Sequence, residues 1–302
     1  MKPGTQLSSV DLNIQALHTF RLVFDRGGYT AAAEAAGSSA PTIWHHVREL
    51  ERAYGTALFK KVGRGIVPTQ AAKTLYESID EILVRLDSTF ELVAEKEASS
   101  ITIVTGVRMM MEDLAEPLAD FRAVHENPIC IRQGNDQRAE ELIIADRADI
   151  ALTLEPGVNN LSPQIHYEPA YSIDFLAVTR PDHPFAKANS GGLRELVKHE
   201  LVVTTPGTHG RDALEQALHS QNLNASIAVE TDNSGFTIAC VQAGMGIGIL
   251  AGRADGRLCQ NLFTRSLTRQ LGRRKIVIMW RKGRQLSQSL VNLVATIRQG
   301  RK

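Results

Sequence analysis

Between residues 14 and 55 the chain sets short stretches of helical apolar spacing between glycines, and that punctuation leaves it little freedom of fold. Ile14, Leu17, Phe20 and Phe24 fit one face of a helix that begins near Asp11 and is ended by "RGG" at 26–28. A second, shorter helix follows in "TAAAEAAG", with Thr30 as its expected N-cap and Gly37 as its stop. Ser39 can cap a third, which tolerates Pro41 in its first turn because no intrahelical N–H is required there. The apolar positions of this third helix, Ile43, Val47, Leu50 and Tyr54, recur every three or four residues up to Gly55. Three short helices joined by tight glycine turns read as a helix-turn-helix unit. Residues 57–68, "ALFKKVGRGIVP", place strand formers around Gly63 and Gly65 and predict a small hairpin or wing.

Thr69 then opens a long helix. Ala72, Leu75, Ile79, Ile82, Leu86, Phe90 and Val93 repeat near every 3.5 residues, with no Gly or Pro before Ile101. A seam that regular pairs with another helix, so a dimer is expected. Beyond it, strand-like "ITIVTG", "ICIRQG", "DIALTL", "IDFLAVT", "LVVTT" and "KIVIMW" alternate with helix-like stretches around 112–124, 136–147, 193–198, 210–221, 234–244 and 286–299. That alternation is the order of an open parallel α/β architecture. Two such units, joined by crossings near 155–175 and 260–275, leave a cleft between them. "GMGIG" at 244–248 reads as a helix end entering a strand, the reverse of the strand-loop-helix order a dinucleotide loop needs.

Charge is segregated although the net charge is only +1. Residues 1–68 hold eight Lys/Arg against five Asp/Glu, 69–255 hold 14 against 28, and 256–302 hold 12 against none. A polyanion would therefore be met locally. The basic tail is expected to be a solvated surface or, facing the acidic middle, a source of charge pairing between subunits. Cys130, Cys240 and Cys259 lack paired spacing, and His183, His199, His209 and His219 make no metal-ligand pattern, so thiols are expected buried and histidines in loops and caps. No metal or cofactor is expected. No run of about 18 apolar residues occurs, and no export signal opens the chain, so it is expected in the cytoplasm with no membrane partner.

A helix-turn-helix sets the first residues of its second helix against base edges while neighbouring cations hold phosphates. Here that helix presents Ala40, Pro41, Thr42, Trp44, His45 and Arg48, with Thr30 and Ser39 at the preceding helix starts and Lys60, Lys61 and Arg64 in the wing. His45 and His46 are adjacent and do not share a helix face, which favours separate polar contacts over a metal pair.

The stretch "ALHTFRLVFDRGGYTAAAEAAGSSAPTIWHHVRELERAYGTALFKKVGRGIVPTQAA" resembles the N-terminal domain of LysR-type transcriptional regulators, in register without a gap. The resemblance continues more weakly through "GNDQRAEELIIADRADIALTL", "VTTPGTHGRDAL", "VQAGMGIGIL" and "MWRKGRQLS". It implies an all-α winged helix-turn-helix domain (1–68), a linker helix for dimerisation (69–97) and an α/β effector domain (98–302) like a periplasmic binding protein. Lobe one of that domain would take about 98–170 and 272–302, and lobe two about 171–271. It further implies a homodimer or homotetramer on double-stranded operator DNA, with RNA polymerase as a candidate partner. Where the family usually has Gln and Ser on the recognition helix, this chain has Ala40 and Trp44, which places the usual half-site in question. Trp44 either packs on a thymine methyl or sugar, or folds back onto the domain.

By the same resemblance Thr105, Gly106, Asn135, Thr205, Pro206 and Thr208 are the candidate effector contacts. They lie in "TGVR" and "TTPGTHGR" and near the start of 136–147, where strand ends meet helix N-termini that favour anions. Arg108 is placed to complement a carboxylate or phosphate, so an anion is the candidate effector class. An enzyme needs a convergent acid, base or nucleophile, and none is found: the cysteines are isolated and no G-x-S-x-G occurs. A two-lobed small-molecule-binding protein without sequence-specific DNA activity is the alternative; it accounts for 100–302 and leaves the front of the chain without a role.

Overall fold

A computed structural model of the chain describes residues 13–93, 100–157, 161–189 and 191–299. The chain divides into two compact units, Met1–Ala94 with Gly283–Gln285, and Glu95–Lys282 with Leu286–Lys302.

The first unit runs α1 (Ile14–Arg26), α2 (Tyr29–Ala36), α3 (Ala40–Tyr54), β1 (Phe59–Val62), β2 (Gly65–Pro68) and α4 (Gln70–Val93). Local chemistry sets the boundaries. Asn13 accepts from the Gln15 N–H and Ser39 from the Thr42 N–H, while Gly27, Gly37 and Gly55 end their helices at positive φ. Thr30 is not a cap: α2 starts one residue earlier, with extended Gly28 at the cap position and no side chain closing it. Tyr29 is drawn into that first turn because its ring packs edge-on against Phe59, 6.1 Å between centroids.

Phe20, Leu50 and Leu58 form one core with Ala72, Leu75, Ile79 and Leu83 of α4. The regular seam on α4 is therefore divided. Its first half is buried within its own unit, whereas Ile82, Phe90 and Val93 are 64, 73 and 81 % exposed. α1 is fastened to α4 by Phe24 stacked on Tyr76 at 4.2 Å, the Tyr76 hydroxyl donating to Asp25, and Arg21 beside Asp80 and Asp87.

The second unit runs β3 (Ile101–Thr105), α5 (Val107–Met109), a π-helical turn (Met110–Leu114), α6 (Ala115–Val124), β4 (Ile129–Gln133), α7 (Asp136–Ile144), β5 (Ile150–Leu154) and β6 (Ile165–Thr179). It continues through α8 (Pro184–Lys187), α9 (Leu193–Leu196), β7 (Glu200–Thr204), α10 (His209–Ser220), β8 (Ser226–Thr231), α11 (Ser234–Gln242) and β9 (Ile247–Gly252). It closes with β10 (Phe263–Ser266), α12 (Thr268–Leu271), β11 (Arg273–Arg281) and α13 (Gln288–Gln299). Among the described residues nine strands form a sheet in the order β4-β3-β5-β11-β6-β9-β7-β8, with β10 beside β6.

The sheet is mixed rather than wholly parallel. β3, β4 and β5 run parallel in one half and β7, β8 and β9 in the other. β6 and β11, the strands by which the chain crosses between the halves and returns, pair antiparallel with each other and with their neighbours β9 and β5. β11 is covered on both faces. Ile276 and Ile278 join the core under α6 and α13, while Val277 and Met279 join the one under α7, which is why the strand is an unbroken apolar run in sequence.

Cations of the basic tail, two of them on β11, find acidic partners within the chain. Arg273 pairs with Asp174 at 2.9 Å, Lys275 with Glu155 at 3.8 Å, Arg298 with Glu168 at 2.8 Å and Arg257 with Glu116 at 2.6 Å. Within the chain, these four cations meet acids of the middle segment.

Candidate functional site

On the helix-turn-helix unit, α3 exposes Pro41, Thr42, Trp44, His45 and Arg48, with Ala40 half-buried, while Ile43, Val47 and Leu50 turn into the core. Lys60 and Lys61 stand exposed on β1 and Arg64 in the turn before β2. Thr30 is exposed in the first turn of α2, and Ser39 holds the start of α3. The adjacent histidines diverge as expected. His45 lies 3.3 Å from Glu49, whereas His46 Nδ1 sits 3.0 Å from Thr19 Oγ1 on α1.

Trp44 does not fold back into the domain: it remains 47 % exposed. The Arg48 guanidinium lies 5.1 Å over its ring, a cation–π contact worth about 0.5–1 kcal/mol at an exposed site. Arg48 is in turn held by Glu51 at 2.8 Å, a residue that sequence periodicity did not single out. Glu51 is buried, and its other oxygen accepts the N–H groups of Leu58 at 2.8 Å and Phe59 at 3.3 Å. One carboxylate thus ties α3 to the first strand of the wing through charge-assisted bonds.

The second unit holds a cavity of about 490 Å³ at the inner ends of both half-sheets. Such a volume suits a small organic molecule. Of the candidate effector contacts, Gly106, Arg108, Asn135 and Thr208 line it. Three expected contacts fall elsewhere. Thr105 is buried in the sheet with its hydroxyl donating to the Leu152 carbonyl, and Thr205 and Pro206 are exposed outside the lining, the Thr205 N–H donating to the Thr231 carbonyl. Sheet pairing accounts for Thr105, whereas Thr205 and Pro206 follow the end of β7, between lining residues Thr204 and Gly207.

Unexpected lining comes from Asp136 and His209, Asp232 to Ser234, and the apolar floor Ile249 to Ala251. His209 Nε2 and Asp136 Oδ2 lie 3.1 Å apart and join the start of α10 to the start of α7 across the cavity. Although burial opposes its charge, the hydrogen bond and charge of His209 hold the Asp136 carboxyl below the ordinary range. One turn along α7, Glu140 accepts from the Tyr167 hydroxyl at 2.6 Å; burial first, then this bond, pushes the phenol well up.

Arg108 is only 5 % exposed; its Nη1 meets Asp113 at 2.9 Å and Glu112 at 3.2 Å, while its buried Nη2 makes no hydrogen bond among the described residues. Glu112 also accepts the Leu258 N–H at 3.1 Å. The π-helical turn that carries both acids is of a kind often found at functional sites. Burial, together with the Glu112 carboxylate, pushes the Cys259 thiol up to about 11, which leaves it inert. Among the other histidines, His183 accepts the Phe185 N–H and caps α8, and its ring meets that of His199 edge-on at 5.0 Å. Among the described residues no group of three potential metal ligands converges, and no helix is long and apolar enough to cross a membrane.

A family model described as "Bacterial regulatory helix-turn-helix protein, lysR family" matches residues 14–73, and one described as "LysR substrate binding domain" matches 94–302. The HTH-type transcriptional regulator CysB of Burkholderia cenocepacia is 25% identical over 247 residues, covering 78% of this chain and 77% of that one. The regulator cbl of Escherichia coli is 25% identical over 267 residues, covering 87% and 84%. Among solved structures, a full-length OxyR variant from Pseudomonas aeruginosa superposes with a TM-score of 0.64 at 17% identity, covering 95% of each chain. Full-length BenM gives 0.55 at 18% identity, covering 95% of this chain and 96% of that one, so the fold is shared along the whole length.

Proposed function

The chain belongs to the LysR family of transcriptional regulators, and from that premise we propose that it binds an operator as a dimer or tetramer and answers to a small molecule seated in the cavity of its second unit. The observation that carries the reading is the exposed face of α3, Pro41, Thr42, Trp44, His45 and Arg48, beside Lys60, Lys61 and Arg64. A helix in the major groove and cations on flanking phosphates need that arrangement. Ser39 and Ala40 begin the same helix, and Thr30 lies on the neighbouring one.

The exposed half of α4, with Ile82, Phe90 and Val93, supports self-association through this helix. An inverted-repeat operator then mirrors the two-fold symmetry of a dimer. A DNA partner places this work in the cytoplasm, and RNA polymerase is the partner through which a bound regulator would act. Gly106, Asn135 and Thr208, joined by Asp136, His209 and Asp232, form the effector-contact set.

Selection of duplexes from a random pool by the full-length protein tests the reading. An inverted repeat should emerge, and its retention should fall in a Lys61→Ala, Arg64→Ala double variant. Equal retention of all duplexes would leave a small-molecule-binding protein with no sequence-specific DNA activity.

A further inference from the structure

The first two turns of α3 are poor in free hydrogen-bonding groups for a helix that must read base edges. Ala40 and Pro41 carry none on their side chains. Ser39 Oγ and Thr42 Oγ1 share one hydrogen bond at 2.7 Å and Ser39 Oγ also accepts the Thr42 N–H, so both hydroxyls take part in closing the helix start and one O–H remains between them. His45 is 3.3 Å from Glu49. What α3 offers instead is the 47 % exposed indole of Trp44.

That indole is held in place. The Arg48 guanidinium covers it at 5.1 Å, Glu51 fixes Arg48 at 2.8 Å, and the Leu58 and Phe59 amides fix Glu51. A buried carboxylate at the root of the wing thereby supports, through Arg48, one face of the ring. A large apolar side chain restrained on a DNA-facing helix gains by covering apolar surface. In the major groove the apolar base-edge group is the C5-methyl of thymine; the other edges there are donors and acceptors.

We propose that Trp44 reads a thymine C5-methyl group in each operator half-site, with Arg48 and Glu51 as its positioning residues. This rests on the DNA-binding reading above and adds the chemistry by which the site is chosen. The same methyl is carried by 5-methylcytosine, and the test separates the two.

A duplex selected by the full-length protein is resynthesised with uracil in place of thymine, one position at a time. Loss of the contacted methyl should weaken the wild type about fourfold. Trp44→Ala should bind the thymine and uracil duplexes equally, and Trp44→Leu should keep part of the preference. At the same position cytosine should bind worse than thymine. Recovery with 5-methylcytosine identifies the methyl itself as the recognised group, and no recovery confines recognition to thymine. Uracil that leaves wild-type affinity unchanged at every position overturns the proposal, as does a Trp44→Ala protein with undiminished sensitivity. If the wild type selects no duplex, the DNA-binding reading fails first and the proposal falls with it.

Discussion

In the helix-turn-helix unit the proposed DNA face comes from one stretch, Thr30 to Arg64, and a principal support is close in sequence: Glu51 accepts from Arg48, Leu58 and Phe59. In the ligand-binding unit the cavity walls come from separate stretches between Gly106 and Ala251, braced by contacts such as Asp136 to His209. The first arrangement lets an exposed residue such as Trp44 vary with little effect on folding. The second couples the site to its scaffold, because Arg108 lines the cavity and also pairs with Glu112 and Asp113.

Removing a support in one unit should therefore leave the other intact, and the largest effect is expected at Arg108. Arg108→Met withdraws the cation shared by two buried carboxylates and should cost about 3–5 kcal/mol. Chemical denaturation should show the loss in the transition of the ligand-binding unit, with the helix-turn-helix transition unmoved. A loss below about 1 kcal/mol would mean that the pair is not structural.

Glu51→Ala should cost less, about 2–3 kcal/mol, since it deprives two backbone N–H groups and one arginine of their acceptor. The loss should fall on the helix-turn-helix transition, with DNA affinity lost alongside it. If both units unfolded together in either variant, the contrast between them would be broken.

The smallest effect is expected at the contact across the cavity. His209 and Asp136 are both partly exposed, so His209→Ala should cost less than about 1 kcal/mol near neutral pH. Its pH dependence has a defined sign. The Asp136 carboxyl is held below its ordinary value, so its stabilisation is full above that value, about 3.9, and is lost as pH falls through the folded one. Denaturation curves of wild type and variant should separate at neutral pH and converge in acid. Separation that persisted in acid would assign the effect to packing.

The same contrast explains what could be read from sequence. The spacing of Ile43, Val47 and Leu50 fixed the inward face of α3, and with it the outward one, because helix geometry is local. The start of α2 was not legible at Thr30: the helix begins at Tyr29, whose ring meets Phe59, a contact that only tertiary packing reveals. Gly106, Asn135 and Thr208 were legible as strand-to-helix turns. His209 was not, since its partner Asp136 lies 73 residues away. Nor was the pairing of Arg108: Glu112 and Asp113 follow closely in sequence, but their shared burial is a product of the packed unit. The α4 seam was recognised, yet periodicity alone could not separate the half used in its own core from the half left exposed.

The measurement that bears most directly on the account is duplex affinity of the full-length protein across a salt series, beside the Lys61→Ala, Arg64→Ala double variant. The logarithm of affinity should fall linearly with that of salt concentration, and the slope should be shallower in the variant by about 0.9 for each phosphate contact removed. An affinity independent of salt, or equal slopes for the two proteins, would contradict the placement of DNA on α3 and the wing.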